Sequence, residues 1–114
     1  MCGIAGLVGE NIASDEIYNL LSFLKHRGPD ATSAVSINKC QLGMTRLAIV
    51  DVEKQHQPYF NQNRNIVCVF NGEIYNHEIL RRELEKKKYR LKNNHSDGEV
   101  IAHLYEEYGL DYAK

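Results

Sequence analysis

Apolar positions fall with two different periods along this 114-residue chain. Cys2 to Val8 is a short apolar run of strand length. Ile17, Leu20, Leu21 and Leu24 then recur at i, i+3, i+4 and i+7, which predicts one helical face. Ser14 is placed to cap that helix, with Asp15 and Glu16 in its first turn. Lys25, His26 and Arg27 end it as cations complementing the dipole, and Gly28-Pro29 stops it. Ala31 to Val50 predicts two strands joined near Asn38-Lys39. Residues 53–65 are polar, contain Pro58 and predict a loop.

The run Ile66-Val67-Cys68-Val69-Phe70 suits a strand covered on both faces. Asn71-Gly72 before Glu73-Ile74-Tyr75 is a hairpin signal. Asn76 can cap a helix running to about Lys87, with Ile79, Leu80 and Leu84 inward, and Tyr89 to Lys92 predicts a short strand. Ser96-Asp97-Gly98-Glu99 has the capping-box pattern. A last helix comes next, with Val100, Ile101, Leu104, Tyr105 and Tyr108 as its stripe and Gly109 as its C-cap. Hairpins combined with three one-faced helices predict an α+β fold of antiparallel sheets rather than a doubly wound parallel one.

Composition narrows the function classes. With 43% hydrophobic and 25% charged residues, the chain suits one soluble domain. A formal net charge of −1 leaves no electrostatic footprint for nucleic acid, and Lys86-Lys87-Lys88-Tyr89-Arg90 reads as a solvated helix end. No apolar run reaches the ~20 residues that span a bilayer, and no secretory signal is visible. Three cysteines without a C-x-x-C predict reduced thiols and a cytoplasmic location, with packing roles for Cys40 and Cys68. No glycine-rich phosphate loop occurs. His26, His56, His77, His95 and His103 lack ligand spacing, so no metal is expected and surface or helix-end positions are.

Cys2 follows the initiator methionine. Once Met1 is removed, one residue carries both a thiol and an α-amine able to act as its base. The alternative is that Cys2 simply opens a buried strand. Covalent acyl transfer from an amino acid amide needs donors for an oxyanion, which the Asn71 amide and the Gly72 N–H can supply. Arg46 can grip a carboxylate bidentately, and Asp97 with Glu73 can hold an ammonium. Each has a plainer role available. Arg46 can be a surface strand residue, Asn71-Gly72 only a turn, and Asp97 only a first-turn acid.

The motifs Met1-Cys2-Gly3-Ile4-Ala5-Gly6, His26-Arg27-Gly28-Pro29-Asp30, Arg46-Leu47-Ala48-Ile49-Val50-Asp51, Phe70-Asn71-Gly72-Glu73-Ile74-Tyr75-Asn76 and Ser96-Asp97-Gly98-Glu99-Val100-Ile101 occur in order across nearly the whole chain. Together they resemble the class II glutamine amidotransferase domain, and most nearly the N-terminal part of glutamine-hydrolysing asparagine synthetases. Ala31-Thr32-Ser33-Ala34 departs from the more glycine-containing stretch usual there, and Met44 stands where a polar or basic residue is common.

The resemblance implies an N-terminal-nucleophile hydrolase fold, an αββα sandwich of antiparallel sheets. It implies that Cys2 is the nucleophile, that Asn71 and Gly72 form the oxyanion hole, and that Arg46, Leu47, Ile49, Val50, Asn71, Gly72, Glu73 and Asp97 bind glutamine. Residues 1–114 then form an incomplete domain, truncated at its C-terminus and without the synthetase part. That missing part would use ATP and Mg²⁺ and receive the ammonia; no cofactor is expected in this chain, and no nucleic-acid or membrane partner. Two alternatives stay open: a catalytically silent module with a structural or interaction role, and an amidotransferase serving a different acceptor.

Overall fold

The computed structural model describes residues 2–47, 57–92 and 96–114. Strand β3 (Cys40–Arg46) lies between β1 (Gly3–Val8) and β2 (Ala31–Ile37), antiparallel to both. Asn38, at φ 51°, turns the chain so that Ile37 pairs with Cys40, where the Asn38-Lys39 pattern predicts the turn. Helix α1 (Glu16–Phe23) covers this sheet through Ile17 and Leu21, both fully buried, while Leu20 stays partly exposed.

The start of α1 is held from the sheet rather than by Ser14. The side chain of Gln41, buried on β3, accepts the Ile17 N–H at 3.2 Å and donates to the Ala13 carbonyl at 2.8 Å. One carboxamide satisfies a donor and an acceptor at the helix entry, so the N-cap position, Asp15, makes no side-chain cap.

The second sheet pairs β4 (Tyr59–Phe60) with β5 (Val67–Cys68), again antiparallel. Helix α3 (Glu99–Tyr108) packs on it, and α2 (His77–Lys86) packs on α3. Leu84, Val100 and Leu104 form the buried centre there, ringed by Ile74, Leu80, Tyr89 and Leu91. Each such aliphatic side chain contributes about 1.5–3 kcal/mol on burial. The Ser33 hydroxyl of β2 donates to the Gln57 carbonyl at 2.8 Å, tying the first sheet to the entry of the second. The result is the mixed architecture of antiparallel sheets and helices expected from the hydrophobic pattern, and it is consistent with an N-terminal-nucleophile hydrolase domain.

Several local expectations change. The 66–70 strand shortens to Val67–Cys68, and Tyr59–Phe60, inside the expected loop, is its partner. Asn71-Gly72 makes no hairpin: Glu73 to Tyr75 form no strand, because the Asn71 amide and the Ile74 N–H bond to distant groups instead of a cross-strand neighbour. Tyr89 to Lys92 form no strand either. Lys88, at φ 71°, closes α2, the Tyr89 N–H returns to the Leu84 carbonyl, and the Lys92 N–H donates to Glu99. Ile79 faces outward. Gly109 ends α3 as expected, at φ 58°.

His103 is the largest surprise on α3. Expected at a surface or helix end, it is 1% exposed and meets the Tyr89 ring edge-on, with centroids 5.8 Å apart. Burial pushes its pKa below 6.5, with Arg81 adding to the effect and Glu99 and Glu106 opposing it. The unfolded chain therefore binds the extra proton first as pH falls, and stability is lost as pH drops below about 6.5. The urea midpoint should fall between neutral pH and about pH 5.5, and His103→Gln should flatten that slope.

Candidate active site

Strand pairing locates the N-terminus. Gly3↔Thr45 is the last pair between β1 and β3, so Cys2 and Arg46 stand one residue beyond it on neighbouring strands. The His26-Arg27-Gly28-Pro29-Asp30 segment runs along the same end of β3. A Cβ on Gly28 would lie 2.4 Å from the Arg46 nitrogen and the Thr45 carbonyl carbon, so only glycine permits this approach. Pro29 bridges Arg46, and the Asp30 N–H donates to the Arg46 carbonyl at 3.0 Å.

This packing aims Arg27 at the N-terminus. Its Nε donates to the Cys2 carbonyl at 3.1 Å, whereas the charge pattern predicts a helix-end cation. A second donor reaches the same oxygen from 69 positions away: Asn71 Nδ2, at 2.9 Å. Two side chains thus hold the backbone of half-buried Cys2 through its carbonyl.

The Asn71 turn is built against an aromatic ring. A Cβ on Gly72 would stand 2.9 Å from Phe70 Cζ, and one on Gly98 would stand 3.0 Å from Phe70 Cδ1 and 2.5 Å from Tyr59 Cε2. The Phe70 ring therefore lies against both Gly72 and Gly98, the residue just before α3. Asp97, one residue earlier, accepts the Ile74 N–H through Oδ2 at 2.8 Å. Glu73, exposed, sits between that amide and Gly72.

The expected capping box does not form. Gly98 is the N-cap, Asp97 bonds to Ile74, and Glu99 turns toward Arg81 on α2. Arg81 and Glu99 form an ion pair at 3.6 Å with both side chains under one-tenth exposed. Arg81 Nη2 also donates to the Ser96 carbonyl at 3.1 Å. Removing one partner of such a pair typically costs about 3–5 kcal/mol, so this arrangement sets the position of the Ser96-Asp97-Gly98 turn.

Tyr59 is buried with its ring against Gly98, next to the Asp97 turn. Burial raises its hydroxyl pKa; the Ser96 hydrogen bond lowers it, Asp97 raises it, and Gln57 and Arg46 lower it. Asp97 and Arg46 thus shift one phenol in opposite directions. No pattern rule marks Tyr59, which follows Pro58 in a polar stretch; its only sequence signal is an aromatic residue where a loop is expected.

Among the candidate residues, Cys2 and Asn71 are in direct contact, with Gly72 and Glu73 in the same turn. Asp97 joins that turn through Ile74, and Arg46 joins Cys2 by strand register. Leu47 follows Arg46 with 36% exposure, and Ile49 and Val50 lie outside the described residues. A cavity of about 260 Å³ between β4 and α3, lined in part by Phe60, Leu91, Glu99 and His103, includes none of them. Among the described residues no cluster of His, Cys, Asp or Glu is arranged to hold a metal ion, and no helix is long and apolar enough to cross a membrane.

Comparison with known proteins gives a consistent picture. The family model described as a glutamine amidotransferase domain matches residues 1–114. The chain is 47% identical to asparagine synthetase [glutamine-hydrolyzing] of Asparagus officinalis over 98% of its own length and 19% of that protein. It is 44% identical to asparagine synthetase [glutamine-hydrolyzing] 1 of Arabidopsis thaliana and 43% identical to asparagine synthetase [glutamine-hydrolyzing] 2 of Oryza sativa subsp. japonica, each over 98% of this chain and 19% of the relative. It spans about a fifth of the length of the curated relatives it matches.

Gly98 offers a direct test of the packed turn. Tyr59 is 7% exposed and its ring has little room to yield. Gly98→Ala should lower stability by about 1–3 kcal/mol, measured as a shift in urea midpoint.

Proposed function

The chain belongs to the glutamine amidotransferase domain family, and from that premise we propose that it releases ammonia from glutamine with Cys2 as nucleophile. The observation that carries this assignment is the Asn71 Nδ2 to Cys2 carbonyl hydrogen bond, which sets an amide donor beside the residue that becomes the N-terminus. After Met1 is removed, the α-amine of Cys2 takes the thiol proton. The sulfur adds to the glutamine carboxamide carbon; an S–C bond forms and the carbonyl π pair moves onto oxygen. Asn71 Nδ2 and the Gly72 N–H receive that oxyanion. Its collapse breaks the C–N bond, with the proton held by the amine passing to the leaving ammonia. Water then cleaves the thioester, giving glutamate and free Cys2.

Arg46 binds the α-carboxylate, while Glu73 and Asp97 take the α-ammonium, leaving the carboxamide directed at Cys2. Leu47, Ile49 and Val50 complete the glutamine-binding segment. A cationic Arg46 and an anionic Asp97 provide the two opposite charges that an amino acid zwitterion requires. The ammonia goes to a synthetase domain that forms asparagine, the product in the names of the relatives. Free thiols at Cys2, Cys40 and Cys68 suit a reducing compartment, the cytoplasm.

Chemical selectivity should distinguish the thiols. Burial pushes Cys68 up to about 11, which keeps it protonated and unreactive at neutral pH. A glutamine-analogue electrophile should therefore label Cys2 and spare Cys68. Protein whose intact mass shows Met1 removed should release ammonia from glutamine, and Cys2→Ala or Met1-retaining protein should not. Full activity in either of the latter would overturn the mechanism. Asn71→Ala should lower kcat by about 10²–10³.

A further inference from the structure

Gln57 stands outside every motif that marks the site, yet its side chain grips the residue before Asn71. Nε2 donates to the Phe70 carbonyl at 2.8 Å, and Oε1 accepts the Phe70 N–H at 2.7 Å. A carboxamide carries one donor edge and one acceptor edge, so it can close this pair as a neighbouring strand would. Here it takes the place of a cross-strand residue just where β5 has ended at Cys68. The Gln57 backbone is itself held, because its carbonyl accepts the Ser33 hydroxyl at 2.8 Å. The first sheet thus holds Gln57, and Gln57 holds both polar groups of the Phe70 backbone.

The clip matters because Phe70 leads directly into the oxyanion donors. Asn71 and Gly72 are exposed and belong to no helix or strand, so no backbone ladder fixes their orientation. Among the described residues, their constraints include the Phe70 backbone behind them, the Phe70 ring beneath Gly72, the Asn71 bond to Cys2 and, past Glu73, the Ile74 bond to Asp97. Of these, the backbone clip sets the direction in which the chain enters the turn. An error of about 1 Å in donor placement is enough to cost ~10²-fold in rate.

We propose that Gln57 is a positioning residue for the oxyanion donors, orienting the Asn71 amide and the Gly72 N–H through its two hydrogen bonds to Phe70. The proposal rests on the glutaminase assignment. A misplaced oxyanion donor weakens binding of the transition state, while bound glutamine keeps its contacts to Arg46, held on β3, and to Asp97, held by Ile74; only Glu73 shares the turn. Loss of Gln57 should therefore appear chiefly in kcat and far less in KM.

The test uses Gln57→Ala and the near-isosteric Gln57→Glu in the full-length protein. The carboxylate of the second variant would still accept the Phe70 N–H but would turn an oxygen toward the Phe70 carbonyl in place of a donor. Both variants should lower kcat roughly tenfold or more, below the 10²–10³ of losing a donor outright, with KM for glutamine within about twofold of wild type. Glutamate γ-semialdehyde supplies a second readout. The Cys2 thiol adds across its carbonyl, forming an S–C bond while the proton moves to oxygen, so the resulting tetrahedral oxygen occupies the donor site. Its affinity should fall in step with kcat, while affinity for glutamate stays unchanged. Wild-type turnover in folded variants, or a raised KM at unchanged kcat, would overturn the role of Gln57. Absence of Cys2-dependent glutaminase activity in the wild-type protein would instead defeat the underlying assignment.

Discussion

The carbonyl oxygen of Cys2 accepts one hydrogen bond from Arg27 and another from Asn71, and most of the site's geometry depends on these two contacts. A chain terminus is ordinarily among the least ordered parts of a domain. Here β1 continues to Gly3, and the two donors hold the next residue by its backbone. Among the described residues, both restraints fall on the carbonyl oxygen rather than on the thiol. A nucleophile restrained through a neighbouring group retains its lone pair for chemistry.

Around that fixed point the charged groups separate by element. Arg46 comes from the end of β3, pinned by the close approach of Gly28 and by the Asp30 amide. Asp97 comes from the entry to α3, held by Ile74 on one side and by the Arg81 contact with Ser96 on the other. The Tyr59 hydroxyl responds to both Arg46 and Asp97, in opposite directions. The site is assembled from both sheets and from two helix ends, and Phe70 joins the Asn71 turn to the Asp97 turn through one ring.

Short-range chemistry was legible in the sequence. The Asn38-Lys39 turn, the Ile17 and Leu21 face and the Gly109 stop each depend on neighbours within a turn or two of chain. The residues about Cys2, Asn71 and Asp97 were legible as compatible functional groups, and their order along the chain identified the family. What pattern rules missed was set by partners far away. Gln41 replaces Ser14 at the head of α1 across 24 positions. Arg27 leaves the helix dipole for Cys2, and Glu99 leaves the capping box for Arg81 on another helix. Asn71-Gly72 satisfies the rule for a tight hairpin, but the Ile74 amide bonds to Asp97, 23 positions on, and the hairpin is lost. His103 was misplaced because its burial comes from packing between elements, which no local periodicity encodes.

The Gln41 contact also bears on the stability of α1. Helix α1 has eight residues, fewer than the ~12–15 at which an isolated helix is even marginally stable in water. One of its first amides, that of Ile17, is satisfied by Gln41, on a strand that follows the helix in the chain. The helix thus depends for its stability on a contact that exists only once β3 is in place.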